Sequence, residues 1–352
     1  MTTVEIANKI GVSRATVSRV LNNHPNVKEE TRQMVLAALY EYGYTPNETA
    51  RSLVMKKSHR IAVVVFSEPE FFWKQVECGV TAAFNELKTF GVTVDYFVTN
   101  ILKPLEQRDL IRSLPDKGYN GIAIAPNLPQ LLSEEIDKIS GMGVPVVIIN
   151  AEIPSANHLC YIGCDYIQSG ILAAEILAKS MNKQGKIAVL ALRDQVISIE
   201  QRITGFRKEL SRYDCISISQ ILRFDRKAQG VYDGVCAILK SSSDIQGIYV
   251  SVGALEQTAQ AVLDSDLEAK ISVVGYDLNQ NIYNYLKKNA ITATICHEPF
   301  SQGYLSVKIL YRYLNYGTVP NSSIVYNKLE AIFASNAKYY MDEHMQFNMF
   351  YH

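Results

Sequence analysis

Apolar positions change their spacing near residue 60. Before it they recur at helical intervals, and three short helices are expected. The first runs from Thr3 to Lys9 and stops at Gly11, a residue suited to the left-handed turn that ends a helix. Ser13 is placed to cap a second, Arg14 to Asn22. After a loop at Pro25 and Asn26, a third spans Glu29 to Tyr42, with Glu29 and Glu30 where the dipole favours acids. Pro46 then breaks the chain, and Asn47 can cap a helix of about two turns, too short to be stable alone.

From residue 60 the pattern becomes one of short, continuous apolar runs separated by helical stretches. The runs are Ile61–Phe66, Thr93–Val98, Gly121–Ala125 and Val144–Asn150, then Ile187–Leu192, Ile216–Leu222, Gly247–Val252 and Ile271–Tyr276. Continuous rather than alternating runs indicate strands covered on both faces. Their alternation with helices such as Phe72–Phe90 and the one ending at Met181 indicates parallel α/β layers. Two such series predict two lobes, with a small-molecule site near the carboxyl ends of the strands.

Composition places the 352 residues among ordinary globular proteins, with 48% hydrophobic and 20% charged residues. Charge refines the picture. The 35 Lys and Arg balance the 35 Asp and Glu, yet residues 1–60 hold nine basic side chains against five acids. A basic end on an acidic body fits a chain of which one end meets a polyanion. The opening residues include Glu5, Lys9, Arg14 and Arg19 and do not read as a secretory signal, and no apolar run is long enough to span a bilayer. The six cysteines include no CxxC; His158, Cys160 and Cys164 flank a strand and read as core rather than as a metal site. The expectation is a reduced, cytoplasmic protein with no cofactor.

The second helix carries the first chemical signal. Val17, Val20 and Leu21 form an apolar stripe, and Arg14, Ala15, Ser18, Arg19 and Asn22 fall on the other face. Ala7, Gly11 and Val17 have the spacing of a helix-turn-helix: a small residue at the crossing, a turn residue and an apolar lock. Such a face suits the major groove, where arginine holds guanine bidentately. A solvated face of a small bundle would show the same pattern.

The segment Gly11–Asn23 (GVSRATVSRVLNN), followed by Tyr44–Leu53 (YTPNETARSL), resembles the lactose-repressor/galactose-repressor (LacI/GalR) family, and the likeness extends over nearly the whole chain. It implies a multidomain chain: an all-α helix-turn-helix headpiece (1–46), a hinge helix and linker (47–58), and an α/β periplasmic-binding-protein-like two-lobed domain (59–341) of the ribose-binding type. Residues 342–352 would form a tail. The lobes are expected at about 59–163 with 292–323 and at 165–290 with 326–341, crossing near 163–165, 290–292 and 323–326. The resemblance further implies that Arg14 and Ala15 read bases, that Arg19 reads bases or nearby phosphates, and that Thr16, Ser18, Asn22 and Tyr44 position the protein on the backbone. Asn47, Ala50 and Leu53 would belong to a hinge helix whose leucine wedges into the minor groove. Lys28 departs from the family, which often has Ser or Thr there.

By the same resemblance, Phe72 and Trp73 match ring-stacking positions, Asn150 a hydroxyl-binding Asp or Asn, Arg202 the effector-contacting arginine and Asp277 a hydroxyl-chelating acid. Glu70 adds a carboxylate after the first strand. Ser251-Val252 stands where many members carry Asn-Asp, and His297 where Gln is common. Glu70 argues against an anionic ligand and favours a neutral sugar or polyol. The expected protein is a homodimeric repressor of carbohydrate-utilisation genes, bound to a near-palindromic double-stranded operator and controlled by that effector, without a membrane partner. A transport receptor would not need the helix-turn-helix. An enzyme would need a motif that is absent: no GxGxxG after a strand, no P-loop and no nucleophile–base pair stands out.

Overall fold

A computed structural model describes residues 2–21, 26–42, 58–194, 196–225, 228–241 and 244–341. Asn22, Tyr44, Asn47, Ala50 and Leu53, the expected hinge helix and the tail lie outside the described residues.

The N-terminal unit consists of α1 (Thr3–Lys9), α2 (Arg14–Leu21) and α3 (Glu29–Glu41). Thr2 and Glu5 close a capping box at the start of α1. Gly11 takes φ +70° in the turn, and the Ser13 hydroxyl accepts the Thr16 amide at 3.0 Å. Ile6, Ala7, Val17, Val20, Val35, Ala38 and Leu39 form its core. Arg14, Ala15, Ser18 and Arg19 are left exposed on α2, as the amphipathic pattern requires.

The body contains two sheets of one topology. The strands of the first are β1 (His59–Phe66), β2 (Val92–Thr99), β3 (Gly121–Ile124), β4 (Val146–Ile149), β5 (Cys160–Gly163) and β11 (Ile324–Tyr326). Its order is β2-β1-β3-β4-β5-β11, parallel throughout. The second has β6 (Gly185–Leu192), β7 (Ile216–Phe224), β8 (Ile245–Val250), β9 (Ser272–Tyr276), β10 (Ala293–Cys296) and β12 (Glu330–Ile332) in the order β7-β6-β8-β9-β10-β12. Only β12 runs antiparallel among these described strands. Order reverses at β1 and at β6, the switch points beside which doubly wound sheets bind ligands.

The helices that matter for the site are α4 (Glu70–Leu87) and α12 (Pro299–Tyr316) in the first lobe, and α7 (Tyr166–Ser180) and α8 (Ile197–Leu210) in the second. The remaining helices are α5 (Pro104–Ser113), α6 (Pro129–Gly141), α9 (Ala228–Ser241), α10 (Leu255–Leu263), α11 (Gln280–Lys287) and α13 (Lys338–Met341). The chain passes between lobes at Cys164–Asp165, at His297–Glu298 and at 327–329. Two of these places correct the sequence expectation. Ala293–Cys296 belongs to the second sheet, because it pairs with β9 and β12 and buries Ala293, Thr294 and Ile295 completely. Ile324–Tyr326 belongs to the first sheet, paired with β5. The first lobe therefore holds 59–163 and 299–326, and the second holds 166–296 and 330–341. The crossings brace one another: the Asn327 amide donates to the Gly163 carbonyl at 2.8 Å and the Lys328 amide to a Glu298 carboxylate oxygen at 3.2 Å.

Candidate functional site

Arg202 is the centre of the site. It leaves α8 with 9% of its surface exposed, and its guanidinium carbon lies 3.6 Å from the Tyr276 ring centroid and 5.1 Å from that of Tyr166. Nη1 donates to the Ser251 carbonyl at 3.1 Å, while Nε is buried without a hydrogen-bond partner. The platform beneath is rigid. Tyr249 stacks on Phe206 at 4.1 Å, and the Tyr249 and Tyr276 hydroxyls are 2.7 Å apart.

Asp277 and His297 face each other at the lobe junction, with His297 Nε2 3.9 Å from Asp277 Oδ1. That is too long for a direct hydrogen bond and leaves both groups able to address a third. Burial and the charge of Arg202 push the His297 imidazole down to about 3, so it is neutral at ordinary pH. Although 20% of the Asp277 side chain is exposed, burial raises its carboxyl above the usual range, with Arg202 opposing. Asp277, Asn150 and Glu298 all take positive φ, at 72°, 66° and 47°. Non-glycine residues adopt this region rarely, and such strain gathers at ligand sites. Here it turns strand ends into the cleft.

The first lobe contributes Asn150 and Phe72. The Asn150 carbonyl accepts the hydroxyls of Tyr161 at 2.9 Å and Tyr166 at 2.6 Å, which ties it to the ring beside Arg202. The Phe72 ring is 5.2 Å from His297. A cavity of about 390 Å³ opens against Phe72, Asp277 and His297. A more open one of about 590 Å³ lies around Gln246, Glu268 and Thr292 at the other ends of the second sheet, and holds none of the predicted residues.

The structure therefore gathers Phe72, Asn150, Arg202, Ser251, Asp277 and His297. Three of the readings are corrected. Trp73 is in the first-lobe core, edge-on to Phe66 and Phe72 at 5.2 and 4.9 Å, with its indole N–H donated to the Glu68 carbonyl. Glu70 is exposed in the first turn of α4, outside the cavity wall. Ser251 offers its carbonyl rather than its hydroxyl, which is donated to Leu190 at 2.6 Å. Tyr166 and Tyr276 were not singled out from sequence. Their signals were adjacency: Tyr276 precedes Asp277, and Tyr166 opens the helix after the first crossing.

On the headpiece, Arg14, Ala15, Ser18 and Arg19 share an exposed face of a helix without acids. Thr16 is half-buried, its hydroxyl 2.9 Å from that of Ser13. Cys160 and Cys164 are buried, and among the described residues no group of three or more His, Cys, Asp or Glu could hold a metal ion. No helix of the described residues is long and apolar enough to cross a membrane.

A helix-turn-helix unit followed by a two-lobed α/β receptor defines a DNA-binding regulator with a small-molecule domain. Comparison with known proteins agrees: residues 2–47 match the model of bacterial regulatory proteins, lacI family, and residues 61–318 that of a periplasmic binding protein domain. The chain belongs to the lacI family of bacterial transcriptional regulators. It is 25% identical to catabolite control protein A of Priestia megaterium over 333 residues, 92% of this chain and 96% of that protein. It is 28% identical to the ribose operon repressor of Bacillus subtilis over 285 residues, 78% and 80% of the two. A sugar-binding protein of a Bacillus halodurans sugar ABC transporter shares the fold, with a TM-score of 0.74 at 21% identity, covering 80% of this chain and all of that one. So does a putative LacI transcriptional regulator from Bacteroides fragilis, with a TM-score of 0.72 at 20% identity over 81% of this chain and 100% of that one.

Proposed function

We propose that this regulator is a cytoplasmic, homodimeric repressor of carbohydrate-utilisation genes whose effector is a sugar or polyol held between the lobes. The observation that carries this reading is the joint placement of Arg202, Asp277, His297 and Phe72 where the two lobes meet. Arg202 and neutral His297 supply donors, Asp277 accepts hydroxyl protons, and the Phe72 ring offers a face to C–H surface. The names of the relatives, a ribose operon repressor among them, point the same way. On DNA, Arg14, Ala15 and Arg19 read base edges of each half-site; Thr16, Ser18, Asn22 and Tyr44 hold the backbone. Asn47, Ala50 and Leu53 engage the minor groove. Closure of the lobes on the effector changes the spacing of the paired headpieces and so the affinity for the operator.

The test has two arms on the full-length chain. Selection from a random duplex pool should return a near-palindrome, lost on Arg14→Ala. Titration with pentoses, hexoses and polyols should give a saturable change in the fluorescence of Trp73, the single tryptophan, through its contact with Phe72. A flat response across the panel in protein that still selects DNA would remove the sugar reading and leave the regulator.

A further inference from the structure

The cavity beside Asp277 extends away from Arg202, between the first turns of α4 and α12 on one side and β12 and α13 on the other. Among the described residues its wall carries three carboxylates, Asp277, Glu298 and Glu330, and neither lysine nor arginine. Aromatic rings, among them Phe72, Phe300 and Tyr340, face the same space. His297 is neutral and compensates none of this charge. Arg202 opposes the rise of the Asp277 carboxyl from outside the wall, and Lys338 lies over the Tyr339 ring at 4.8 Å, also outside it. Among the described residues, none of the three carboxylates has a lysine or arginine ion pair.

His297 lines the same cavity, 4% exposed, with its Nε2 3.9 Å from Asp277 Oδ1, and Gln302 stands behind it, outside the wall. Gln302 is fully buried, its Nε2 is 3.4 Å from His297 Nδ1, and its Oε1 has no hydrogen-bond partner. Carboxylates gathered beside aromatic faces favour a cation with N–H donors. A volume of about 390 Å³ is in the range of a small-molecule pocket.

We propose that this cavity takes a protonated amine carried by the effector, which makes the effector an amino sugar or amino polyol. The proposal rests on the reading that the effector lies against Asp277 and His297. A ligand there would touch the first lobe through Phe72, a crossing through Glu298 and the second lobe through Glu330, and so bridge the parts whose angle must change.

The experiment is a titration of the full-length chain, read by Trp73 fluorescence and by calorimetry, at mildly acidic pH where the amines are protonated. The ligands are matched sets: glucosamine, glucose and N-acetylglucosamine, with the galactose and mannose counterparts. At least one amine should bind about tenfold or more tightly than both of its neutral partners. Glu330→Gln, and independently Glu298→Gln, should cut that ratio about threefold or more, with thermal melting as the check on folding. Neutral partners binding as tightly as the amines, or a ratio unchanged in both variants, overturns the proposal and leaves the sugar reading intact. A flat response to neutral and amino members alike overturns both.

Discussion

His297 and Asp277 are both displaced toward their uncharged forms, and the two displacements have opposite consequences for stability. The imidazole is pushed from an ordinary 6.5 to about 3. Its folded value lies below its unfolded one, so its contribution is full above pH 6.5 and is lost as pH falls toward 3. The loss cannot exceed about 1.4 kcal/mol per pH unit for one proton. Asp277 is raised above 3.8, so its contribution is full below that value and is lost as pH rises through the folded value. The wild-type acid limb is therefore a partial cancellation. Urea denaturation between about pH 4 and 7 should show a flatter limb for His297→Gln and a steeper one for Asp277→Asn. Equal slopes in all three proteins would mean that neither group is buried as described. At this scale the sequence marked positions better than orientations. Asn150, Ser251 and Asp277 stand at or just past the ends of apolar runs, and strand ends meet the cleft in this topology. Phe72 and Trp73 are neighbours on one helix, about 100° apart, and only packing decides which of them reaches the cavity. Ser251 likewise has two oxygens, and sequence does not choose between them.

The elements that hold these side chains are fixed by backbone contact. In the second lobe, a Cβ added at Gly170 would sit 1.9 Å from the Arg202 carbonyl oxygen, and one at Gly205 would sit 1.9 Å from that of Ile167. Helices α7 and α8 therefore cross with their backbones touching, and Arg202 is placed at the crossing itself. The first lobe repeats the device with Gly79 against Phe300 and Gly303 against Val76, which sets α4 on α12. A methyl group at such a contact cannot be absorbed by a side chain. Gly205→Ala should therefore destabilise by about 3 kcal/mol or more and blunt the effector response. Gly230→Ala meets nothing within 4 Å and is the matched control, neutral or stabilising by up to about 1 kcal/mol. Thermal melts of the two variants decide this; a Gly205→Ala protein that melts with the wild type would mean that the helices part at no cost. The long runs such as Ile61–Phe66 and Ile187–Leu192 were legible because eight-residue strands covered on both faces leave continuous apolar sequence. The sheet that β10 and β11 join was not. Four and three residues carry too little pattern, and the partner that captures them is distant in sequence: Tyr276 for Ile295, Tyr161 for Ile324.

Across the whole molecule the three crossings are braced by hydrogen bonds, so a change at His297–Glu298 reaches the segments that bear on both lobes. The basic face proposed to read DNA belongs to residues 14–19, far along the chain from Asp277 and His297, and coupling between the two must therefore run through the lobes. Thermodynamics constrains that coupling whatever its path. If the effector changes operator affinity by some factor, the operator must change effector affinity by the same factor. Allosteric couplings in general are typically about 5- to 150-fold. It is measurable here from both ends: operator retardation with and without effector, and Trp73 titration of effector with and without saturating operator. Arg19→Ala supplies the control, because it should weaken operator binding and reduce its salt slope by about 1 while leaving the DNA-free effector titration unchanged. Equal factors from the two ends show that the Trp73 signal and the retardation follow the same coupled effector site. Unequal factors mean that the fluorescence of Trp73 follows a binding event that does not communicate with the headpiece, and the cavity beside His297 would then be a site without a regulatory output.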